Sequence, residues 1–552
     1  MNALVVTLAQ INLTVGAIHG NTEQVIDIVT AQTAADVIVF PELTITGYPP
    51  EDLLLRADLY PQIQTALARI AAAAQHAAVI IGYPEYQAGA LYNSIAVLYQ
   101  GQIIANYRKQ RLPQYGVFDE QRYFISGNQP GFFEFRGHRI GLLICEDIWH
   151  SEPLAELTAA QVDWVVVINA SPFERHKHQQ RLQMLQQRSG ETKRPLMYLN
   201  LIGGQDELVF DGHSIVLDKD GNLVAELPHA EPSICSVSIS KQGHVALRNG
   251  PQQTKPSDDL QEIYQALVLS IRDYVSKNGF RSVTLGLSGG IDSALTLALA
   301  VEAIGASHVH AVMMPFHYTS SMSIEDAQAQ AQRLGVAYSC VPIAPIYDSF
   351  VNQLAPLFVA DESPITVQNL QARSRGVIIM ALSNKTGSLV LTTGNKSELA
   401  VGYCTLYGDM CGGFAPLKDV PKMLVFELAR FCNRQREIIP QRVIDRPPSA
   451  ELAPGQTDQD SLPDYATLDA IVERYVEGDQ SALEIIAAGY SQHDVQRVIR
   501  LIEISEYKRR QGAVGPKITA RNFSKDRRYP ITNHYRYELD RQLLNEAKHE
   551  KN

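Results

Sequence analysis

The alternation of short apolar runs with helical stretches constrains the fold of this 552-residue chain more than any other feature. Residues 37–40, 78–82, 140–144 and 164–168 are apolar runs typical of buried strands. The alanine-rich residues 62–77 predict a helix between the first two strands. Strands that alternate with helices predict a layered α/β domain.

A polar segment that contains two prolines, residues 248–260, interrupts this pattern. Its composition predicts a linker between two domains. A helix at 260–277 and a second α/β unit with a doubly wound parallel sheet are predicted to follow it. We therefore expect domains at 1–247 and 261–552. The strands predicted for the second unit are residues 282–287, 310–316, 337–343 and 388–393.

Charge and cysteine content narrow the class of protein. A net charge of −11 argues against a general nucleic-acid binder, because phosphate binding needs clustered lysine and arginine. The six cysteines are scattered and never spaced C-x-x-C, which argues against a disulfide framework and a structural zinc site. The first residues lack the pattern of a signal peptide, and no apolar run approaches about 18 residues. We expect a cytoplasmic protein without nucleic-acid or membrane partners.

Three polar residues of the first domain follow predicted strands or lie near them. Glu42 ends VIVFPE, Lys109 lies in NYRKQRLP, and Cys145 ends IGLLIC. Chemistry in parallel α/β sheets gathers at the carboxyl ends of the strands, so these side chains can converge. A helix beginning at Cys145 would favour its thiolate, a carboxylate can accept the thiol proton, and a lysine can stabilise an oxyanion. Taken singly, a cysteine at the end of a strand is more often a small buried apolar residue than a nucleophile.

The segments FPELTITGY, YRKQRLP and ICEDIW resemble the nitrilase superfamily of carbon–nitrogen hydrolases. This resemblance implies an αββα sandwich over about the first 240 residues. It implies that Glu42 is the general base, Lys109 the oxyanion stabiliser and Cys145 the nucleophile that forms a thioester. The residues that it implies for glutamine binding are Tyr115, Ser171 and Lys177, and Glu120 is a candidate support for Lys109.

The second candidate site is the sequence GLSGGIDS, which lies between a predicted strand and a predicted helix of the second domain. Successive small residues let backbone N–H groups turn inward and bind an anion, and a helix N-terminus favours phosphate. Asp292 is suited to hold Mg²⁺ against phosphate oxygens. No Lys-Ser or Lys-Thr pair follows the glycines, so the loop is not a Walker A loop. The ATP-binding loop predicted here consists of Gly286, Leu287, Ser288, Gly289, Gly290, Ile291, Asp292 and Ser293.

The SGGIDS motif resembles the N-type ATP pyrophosphatase family, whose members cleave ATP to AMP and pyrophosphate. The later segments NLQARSRG, LTTGNKSELAVGYCTLYGD and KITARNFSKDRRYP resemble NAD synthetases. This second resemblance implies that Thr393 and Lys422 contact ATP. It implies that Asn369, Glu398 and Lys517 contact deamido-NAD⁺, and that Glu398 together with Asp292 holds Mg²⁺.

Two further stretches of the second domain stand out. Residues 506–528 carry eight lysine or arginine residues and two acidic residues, which predicts either a solvated face or a patch for pyrophosphates. Residues 446–465 are acidic and proline-rich, and they predict either a lid over the synthetase site or a surface linker.

The two halves together resemble the glutamine-dependent NAD⁺ synthetase family. The resemblance implies an ATP-dependent carbon–nitrogen ligase that hydrolyses glutamine to ammonia and amidates deamido-NAD⁺ through an adenylate. Its products are NAD⁺, AMP, pyrophosphate and glutamate, ATP is a co-substrate, and Mg²⁺ is the metal; we also expect a homo-oligomer. The alternatives are another amidotransferase ligase, a tRNA-thiolating enzyme and an inert sensor or scaffold.

Overall fold

The computed structural model describes residues 3–251, 258–357, 363–453, 455–460 and 462–531. The chain divides into two compact units, Met1–Ala266 and Leu267–Asn552. The predicted linker, 248–260, lies partly outside the described residues, since the structure describes its ends but not 252–257. Within the described residues, no helix combines the length and apolar character needed to cross a membrane.

The described residues of the first unit form fifteen strands and four complete α-helices. The strands are β1 (Leu4–Gln10), β2 (Val37–Val39), β3 (Ala78–Gln87), β4 (Ala90–Tyr99), β5 (Gln102–Arg108), β6 (Phe132–Phe135), β7 (His138–Ile144), β8 (Trp164–Asn169), β9 (Leu196–Asn200), β10 (Ile202–Gln205), β11 (Leu208–Asp211), β12 (Ile215–Leu217), β13 (Leu223–Glu226), β14 (Ser233–Ile239) and β15 (Val245–Asn249). The helices are α1 (Ile18–Ala31), α2 (Leu59–Ala73), α3 (Ser151–Ala159) and α4 (Lys177–Thr192).

Two sheets form the centre of this unit. The first has the order β15-β14-β1-β2-β3-β4-β5 and the second the order β13-β12-β9-β8-β7-β6. Alternate residues of β2 serve two cores: Val37 and Val39 pack in the core that both sheets share, and Ile38 packs with α1 and α2. Leu157 of α3 and Leu185 of α4 join the shared core. The unit is therefore the αββα sandwich that the sequence predicts.

The described residues of the second unit form one sheet. Its helices are α5 (Asp259–Lys277), α6 (Ile291–Ile304), α7 (Ser321–Leu334), α8 (Ala344–Leu354), α9 (Pro364–Thr386), α10 (Lys396–Val401), α11 (Lys422–Cys432), α12 (Gln441–Asp445), α13 (Tyr465–Val472), α14 (Ala482–Ala487), α15 (Gln492–Ile504) and α16 (Glu506–Arg509). Its strands are β16 (Val283–Gly286), β17 (Val309–Met313), β18 (Ala337–Cys340) and β19 (Leu389–Leu391).

All strands of this sheet run parallel, in the order β18-β17-β16-β19. β16 comes first along the chain and pairs with β17 on one side and β19 on the other. The strand order therefore reverses at β16, and ligands of such sheets bind at this switch point, beyond the carboxyl ends of the strands. The SGGIDS sequence spans the loop after β16 and the first residues of α6. The fold thus places the predicted phosphate-binding loop where ligands of such sheets bind.

Candidate functional site

Glu42 is held by a close crossing of two backbone segments. It follows β2, and the next residue, Leu43, has a positive φ of 45°. A Cβ atom on Gly82 of β3 would lie 2.4 Å from the Leu43 nitrogen and 2.7 Å from the Pro41 oxygen. Glycine is thus required at position 82, because no other residue lets the turn after β2 pack on β3. The turn directs a carboxylate into the interior, where Glu42 is 1% exposed.

Lys109 bridges two buried carboxylates. Its Nζ donates to Glu42 Oε1 at 2.7 Å and to Glu120 Oε1 at 2.9 Å. Burial alone would lower the pKa of Lys109, but Glu120 and Glu42 raise it well above its usual value, so the lysine is a fixed cation. Burial and the Glu42 charge raise the pKa of Glu120 to about 7. Tyr48 completes this buried group by donating from its hydroxyl to Glu120 Oε1 at 3.0 Å.

Cys145 lies at a sharp turn between β7 and a short 3₁₀ helix, Cys145–Trp149. Its φ is 44°, a conformation that costs a non-glycine residue about 1–3 kcal/mol and is concentrated at functional sites. The expectation that a helix N-terminus favours its thiolate is wrong. Burial, together with the negative charge of Glu42, raises the pKa of Cys145 well above its usual value. Cys145 is thus a thiol at neutral pH and needs a base to become a nucleophile.

Asp147 and Asn93 complete the first site and were not singled out in the sequence. Asp147 accepts backbone N–H groups of Ile144, Gln110 and Arg111 at 2.8–3.0 Å, so it ties the Cys145 turn to the segment that follows Lys109. The side-chain amide of Asn93 donates to Glu42 Oε1 at 2.8 Å, and the backbone carbonyl of Asn93 accepts the backbone N–H of Lys109 at 2.8 Å. Most of the partners of Asn93 and Asp147 lie far away in the sequence, so these contacts are visible only in the folded structure.

The three residues predicted to bind glutamine lie on separate segments. Tyr115 is exposed, and its hydroxyl donates to Glu146, the neighbour of Cys145, at 2.9 Å. Ser171 follows β8 and accepts a hydrogen bond from buried Arg181 at 3.3 Å. Lys177 begins α4, with its Nζ 5.6 Å from the centre of the Trp149 ring. Glu146 thereby adds a carboxylate to the predicted set.

In the second unit, the loop after β16 has the predicted small-residue geometry. Gly289 has a φ of 81°, and a Cβ atom there would lie 2.3 Å from the Ser323 oxygen. The hydroxyl of Ser288 accepts the Gly290 N–H at 3.2 Å, and Ser293 Oγ accepts the Ser288 N–H at 3.2 Å. The loop therefore needs glycine at 289 and is held in shape by its own two serines.

Lys422 bridges two carboxylates at the end of this loop. Its Nζ donates to Asp292 Oδ2 at 2.6 Å and to Glu398 Oε1 at 3.1 Å. Burial raises the pKa of Glu398 to about 8, and Asp292 adds to this rise while Lys422 opposes it. Asn395, which the sequence did not single out, donates to Asp292 Oδ1 at 2.8 Å and also caps α10. The structure thus brings together three of the predicted ATP, dinucleotide and metal residues.

The donor set of this cluster fits Mg²⁺. Carboxylate oxygens are the protein ligands that Mg²⁺ prefers. Burial and the neighbouring Asp292 charge raise the pKa of Glu398, and a divalent cation bound by both carboxyl groups would favour its ionised form. The Nζ of Lys422 lies between the two carboxylates, so a cation bound by both would share or take its place.

The remaining predicted synthetase residues lie on other segments. Thr393 is half-buried in the loop between β19 and α10. Asn369 lies on α9 and accepts from Thr405 Oγ1 at 2.8 Å. Lys517 is buried, and its Nζ donates to the Thr519 carbonyl at 2.8 Å. Thr405 and Thr519, the partners of Asn369 and Lys517, are not members of the Asp292, Glu398 and Lys422 cluster.

Most basic side chains of residues 506–528 are engaged within the protein and several are buried, so the stretch is not the solvated face that its charge predicted as one alternative. Arg509 and Arg527 pair with Glu506, and Arg527 also pairs with Glu503 at 3.1 Å. Lys508 donates to the carbonyls of residues 402 and 404. These cations hold the fold together, so an open pyrophosphate patch across the segment is not observed among the described residues.

Residues 446–453 pack beside the phosphate-binding loop. Glu451 accepts hydrogen bonds from the hydroxyls of Ser320 and Ser323 at 2.9 and 2.8 Å. Arg446 donates to Ser323 Oγ at 2.9 Å and also bonds the Gly289 carbonyl. The stretch is therefore anchored to the loop. Pro454 and Ser461, which belong to the predicted lid, lie outside the described residues.

Comparisons with known proteins match both halves of the chain. A carbon-nitrogen hydrolase family model matches residues 5–249, and an NAD synthase model matches residues 263–512. A glutamine-dependent NAD(+) synthetase of Acinetobacter baylyi is 48% identical over 97% of this chain and 99% of its own length. The chain belongs to the glutamine-dependent NAD(+) synthetase family.

Solved structures of the family support the same assignment. The glutamine-dependent NAD⁺ synthetase of Acinetobacter baumannii, solved with adenosine diphosphate, is 46% identical to this chain. The alignment covers 96% of this chain and 99% of that one, with a TM-score of 0.78. A synthetase structure from Cytophaga hutchinsonii, 21% identical with a TM-score of 0.85, supports the fold alone. The alternatives of another amidotransferase ligase and of a tRNA-thiolating enzyme lack comparable support.

Proposed function

We propose that this protein makes NAD⁺ from deamido-NAD⁺, ATP and glutamine. One observation carries the proposal: each of the two family domains contains a buried lysine between two carboxylates, one beside a cysteine and one beside a phosphate-binding loop. We assign the glutaminase to residues 1–247 and the synthetase to residues 261–552. Membership of the family over nearly the whole chain supports both assignments.

At the first site, Cys145 attacks the side-chain amide carbon of glutamine. Glu42 accepts the thiol proton, because burial keeps Cys145 protonated until a base removes the proton. Lys109, whose raised pKa keeps it charged, stabilises the negative oxygen of the tetrahedral intermediate. Glu42 returns the proton to the departing nitrogen, ammonia leaves, and water then hydrolyses the thioester to release glutamate.

Recognition of free glutamine requires partners for its charged α-ammonium and α-carboxylate groups. Lys177, at the start of α4, offers a cation for the carboxylate. Glu146 and Tyr115, already joined by a 2.9 Å hydrogen bond, offer an acceptor and a polar wall for the ammonium. Ser171 lines the same region through its link to buried Arg181.

At the second site, the carboxylate of deamido-NAD⁺ attacks the α-phosphorus of ATP. The backbone of the 286–293 loop and the N-terminus of α6 hold the phosphates, and Lys422 and Thr393 contact them. Pyrophosphate leaves and an acyl adenylate remains. Ammonia from the first site then attacks the acyl carbon and AMP leaves, which completes the amide of NAD⁺.

Asp292 and Glu398 would hold Mg²⁺, which neutralises charge on the departing pyrophosphate. If the metal takes the place of the Lys422 Nζ between these carboxylates, the ammonium group becomes free to contact the phosphates. Asn395 keeps Asp292 oriented during this exchange through its 2.8 Å hydrogen bond. Asn369, Glu398 and Lys517 contribute to the dinucleotide site. We further expect the enzyme to act as a cytoplasmic homo-oligomer.

The test is a stoichiometric assay of the purified chain with deamido-NAD⁺, ATP, Mg²⁺ and glutamine. The proposal requires NAD⁺, AMP, pyrophosphate and glutamate in equal amounts, or glutamate in modest excess. Ammonium in place of glutamine should yield NAD⁺ and AMP without glutamate. Release of ADP instead of AMP, or no NAD⁺ with either nitrogen source, would reject the proposal.

A further inference from the structure

The first unit contains a second cluster of ligand-type side chains, which the glutaminase chemistry does not use. It consists of His178 on α4, His213 before β12 and Glu226 at the end of β13. The three ligand atoms lie within 4.8 Å of one another. His178 Nε2 is 2.8 Å and His213 Nδ1 is 3.2 Å from the same oxygen, Glu226 Oε1.

The cluster is largely buried, and its two histidine rings lie close together. The side chains of His178, His213 and Glu226 are 17%, 4% and 11% exposed. The rings of the two histidines lie 4.0 Å apart between centroids. Two imidazolium cations stacked so closely would repel each other, so the pair is suited to hold at least one neutral ring. Neutral imidazole is the form that binds metal ions.

Each histidine has a second ring nitrogen, which faces away from Glu226. His178 Nδ1 and His213 Nε2 are both buried without a hydrogen-bond partner. His213 Nε2 lies 3.6 Å from Glu262 Oε1, on the first turns of α5. A histidine that binds a metal through one nitrogen commonly gives its other N–H to a carboxylate, which fixes the ring and strengthens the ligand. Glu262 stands where that carboxylate is needed.

We propose that His178, His213 and Glu226 form a binding site for a divalent transition-metal ion of the zinc type. Two imidazole nitrogens and one carboxylate oxygen are a common zinc donor set, and they leave a position for water. Glu262 is a positioning residue that orients His213. The site is distinct from the Asp292–Glu398 pair, whose ligands are all oxygens. Because His178 directly follows Lys177, a bound ion would also fix the first turn of α4.

The experiment is a titration of the chelator-treated full chain with Zn²⁺ and, separately, with Co²⁺. Excess Mg²⁺ is present to occupy sites made only of oxygen. The site predicts one tight equivalent of Zn²⁺, measured by calorimetry. It predicts Co²⁺ absorption bands of a low-coordinate nitrogen and oxygen site without thiolate charge-transfer bands. Cys340, which is exposed, is the main competing ligand, and thiolate bands would expose it.

One ligand variant, one variant of the positioning residue and a matched control sharpen the titration. His178→Gln should weaken Zn²⁺ binding by about 100-fold or more, and Glu262→Gln by about tenfold. His19→Gln is the control, because His19 also faces a single glutamate, Glu23, at 3.4 Å but has no second histidine there. It should bind Zn²⁺ as the unaltered chain does.

Thermal unfolding without metal shows whether each variant folds. If His178→Gln does not fold, the Glu262→Gln affinity and the wild-type Co²⁺ spectrum decide the matter. Absence of a tight equivalent, thiolate bands in place of nitrogen and oxygen bands, or equal Zn²⁺ affinity in all folded variants would overturn the proposal.

Discussion

The two units contain similar clusters of buried charged residues, but different groups lie beside the two clusters. In each, a buried lysine donates to two carboxylates: Lys109 to Glu42 and Glu120, and Lys422 to Asp292 and Glu398. In each, an asparagine also donates to one of these carboxylates at 2.8 Å. In each, burial beside a second carboxylate raises the pKa of one carboxyl group, Glu120 to about 7 and Glu398 to about 8.

The third partner distinguishes the two clusters. In the first unit it is the Cys145 thiol, whose raised pKa makes it dependent on Glu42. In the second unit it is a loop suited to phosphates, and its carboxylates suit a divalent cation. We propose that the bridging lysine stabilises an oxyanion in the first unit and exchanges its carboxylate partners for phosphates in the second. Variants of matched residues can separate these roles.

The largest effect is expected when each lysine loses its charge. Lys109→Met should lower glutamine-dependent NAD⁺ synthesis by about 10³-fold, because the oxyanion loses its donor, and should leave ammonium-dependent synthesis nearly unchanged. Lys422→Met should lower synthesis from both nitrogen sources. Steady-state rates with each source measure this. Equal losses from both sources in Lys109→Met would break the comparison.

The second largest effect concerns the metal carboxylate. Asp292→Asn should lower synthesis by about 10²-fold with either nitrogen source, because Mg²⁺ loses a charged ligand. Raising the Mg²⁺ concentration should recover part of the rate. Glutamate release, assayed alone, should continue. An unchanged ammonium-dependent rate at limiting Mg²⁺ would contradict the assignment.

The sequence predicted the strands that precede Glu42 and Cys145, and it did not predict the strand before Lys109 for a physical reason. The apolar runs before Glu42 and Cys145 end in polar residues, and the structure confirms both strands. Lys109 follows β5, an antiparallel edge strand whose residues are largely exposed, so the periodicity of buried strands could not place it. The family resemblance alone pointed to it.

The residues that sequence reasoning missed act across long separations. Asn93 contacts Glu42, a residue 51 positions away, and Asn395 contacts Asp292, a residue 103 positions away. Asn93 carries no local signal beyond its type, and the capping pattern of Asn395 with Glu398 predicts a helix start but not the contact with Asp292. The protonation state of Cys145 was also predicted in the wrong direction. Position at a helix start was visible in the sequence, but the burial and the neighbouring carboxylates that outweigh it were not.

The third prediction tests that corrected protonation state. Burial and the Glu42 charge raise the pKa of Cys145, so the free thiol ionises only at high pH. If charge alone governed reactivity, Glu42→Gln would lower this pKa and speed alkylation. If Glu42 acts as the base, the variant should react with iodoacetamide about 10²-fold more slowly at pH 7, and its rate should rise about tenfold per pH unit above that.

Peptide mapping by mass spectrometry gives the alkylation rate of Cys145 separately from that of the other cysteines. The exposed Cys340 in the same digest is the internal control and should react equally in both proteins. Faster alkylation of Cys145 in Glu42→Gln would show that electrostatics, and not base catalysis, controls the thiol.

The smallest effects are expected at the two asparagines. Asn93→Ser should lower only glutamine-dependent synthesis, and Asn395→Ser should lower synthesis from both sources, each by about tenfold, because a carboxylate loses one orienting hydrogen bond. Serine at 395 retains a helix-capping oxygen but is too short to reach Asp292. Thermal unfolding checks that the variants fold. Identical source dependence in the two variants would remove the distinction between the clusters.

The central claim is that the two units perform separate reactions joined only by ammonia, and Cys145→Ala tests it most directly. NAD⁺ formation by this variant should be measured with glutamine and with ammonium at saturating deamido-NAD⁺, ATP and Mg²⁺. We predict loss of at least about 10³-fold with glutamine and a rate within about twofold of the unaltered enzyme with ammonium. Near-normal synthesis from glutamine, or loss of synthesis from both sources, would contradict the claim.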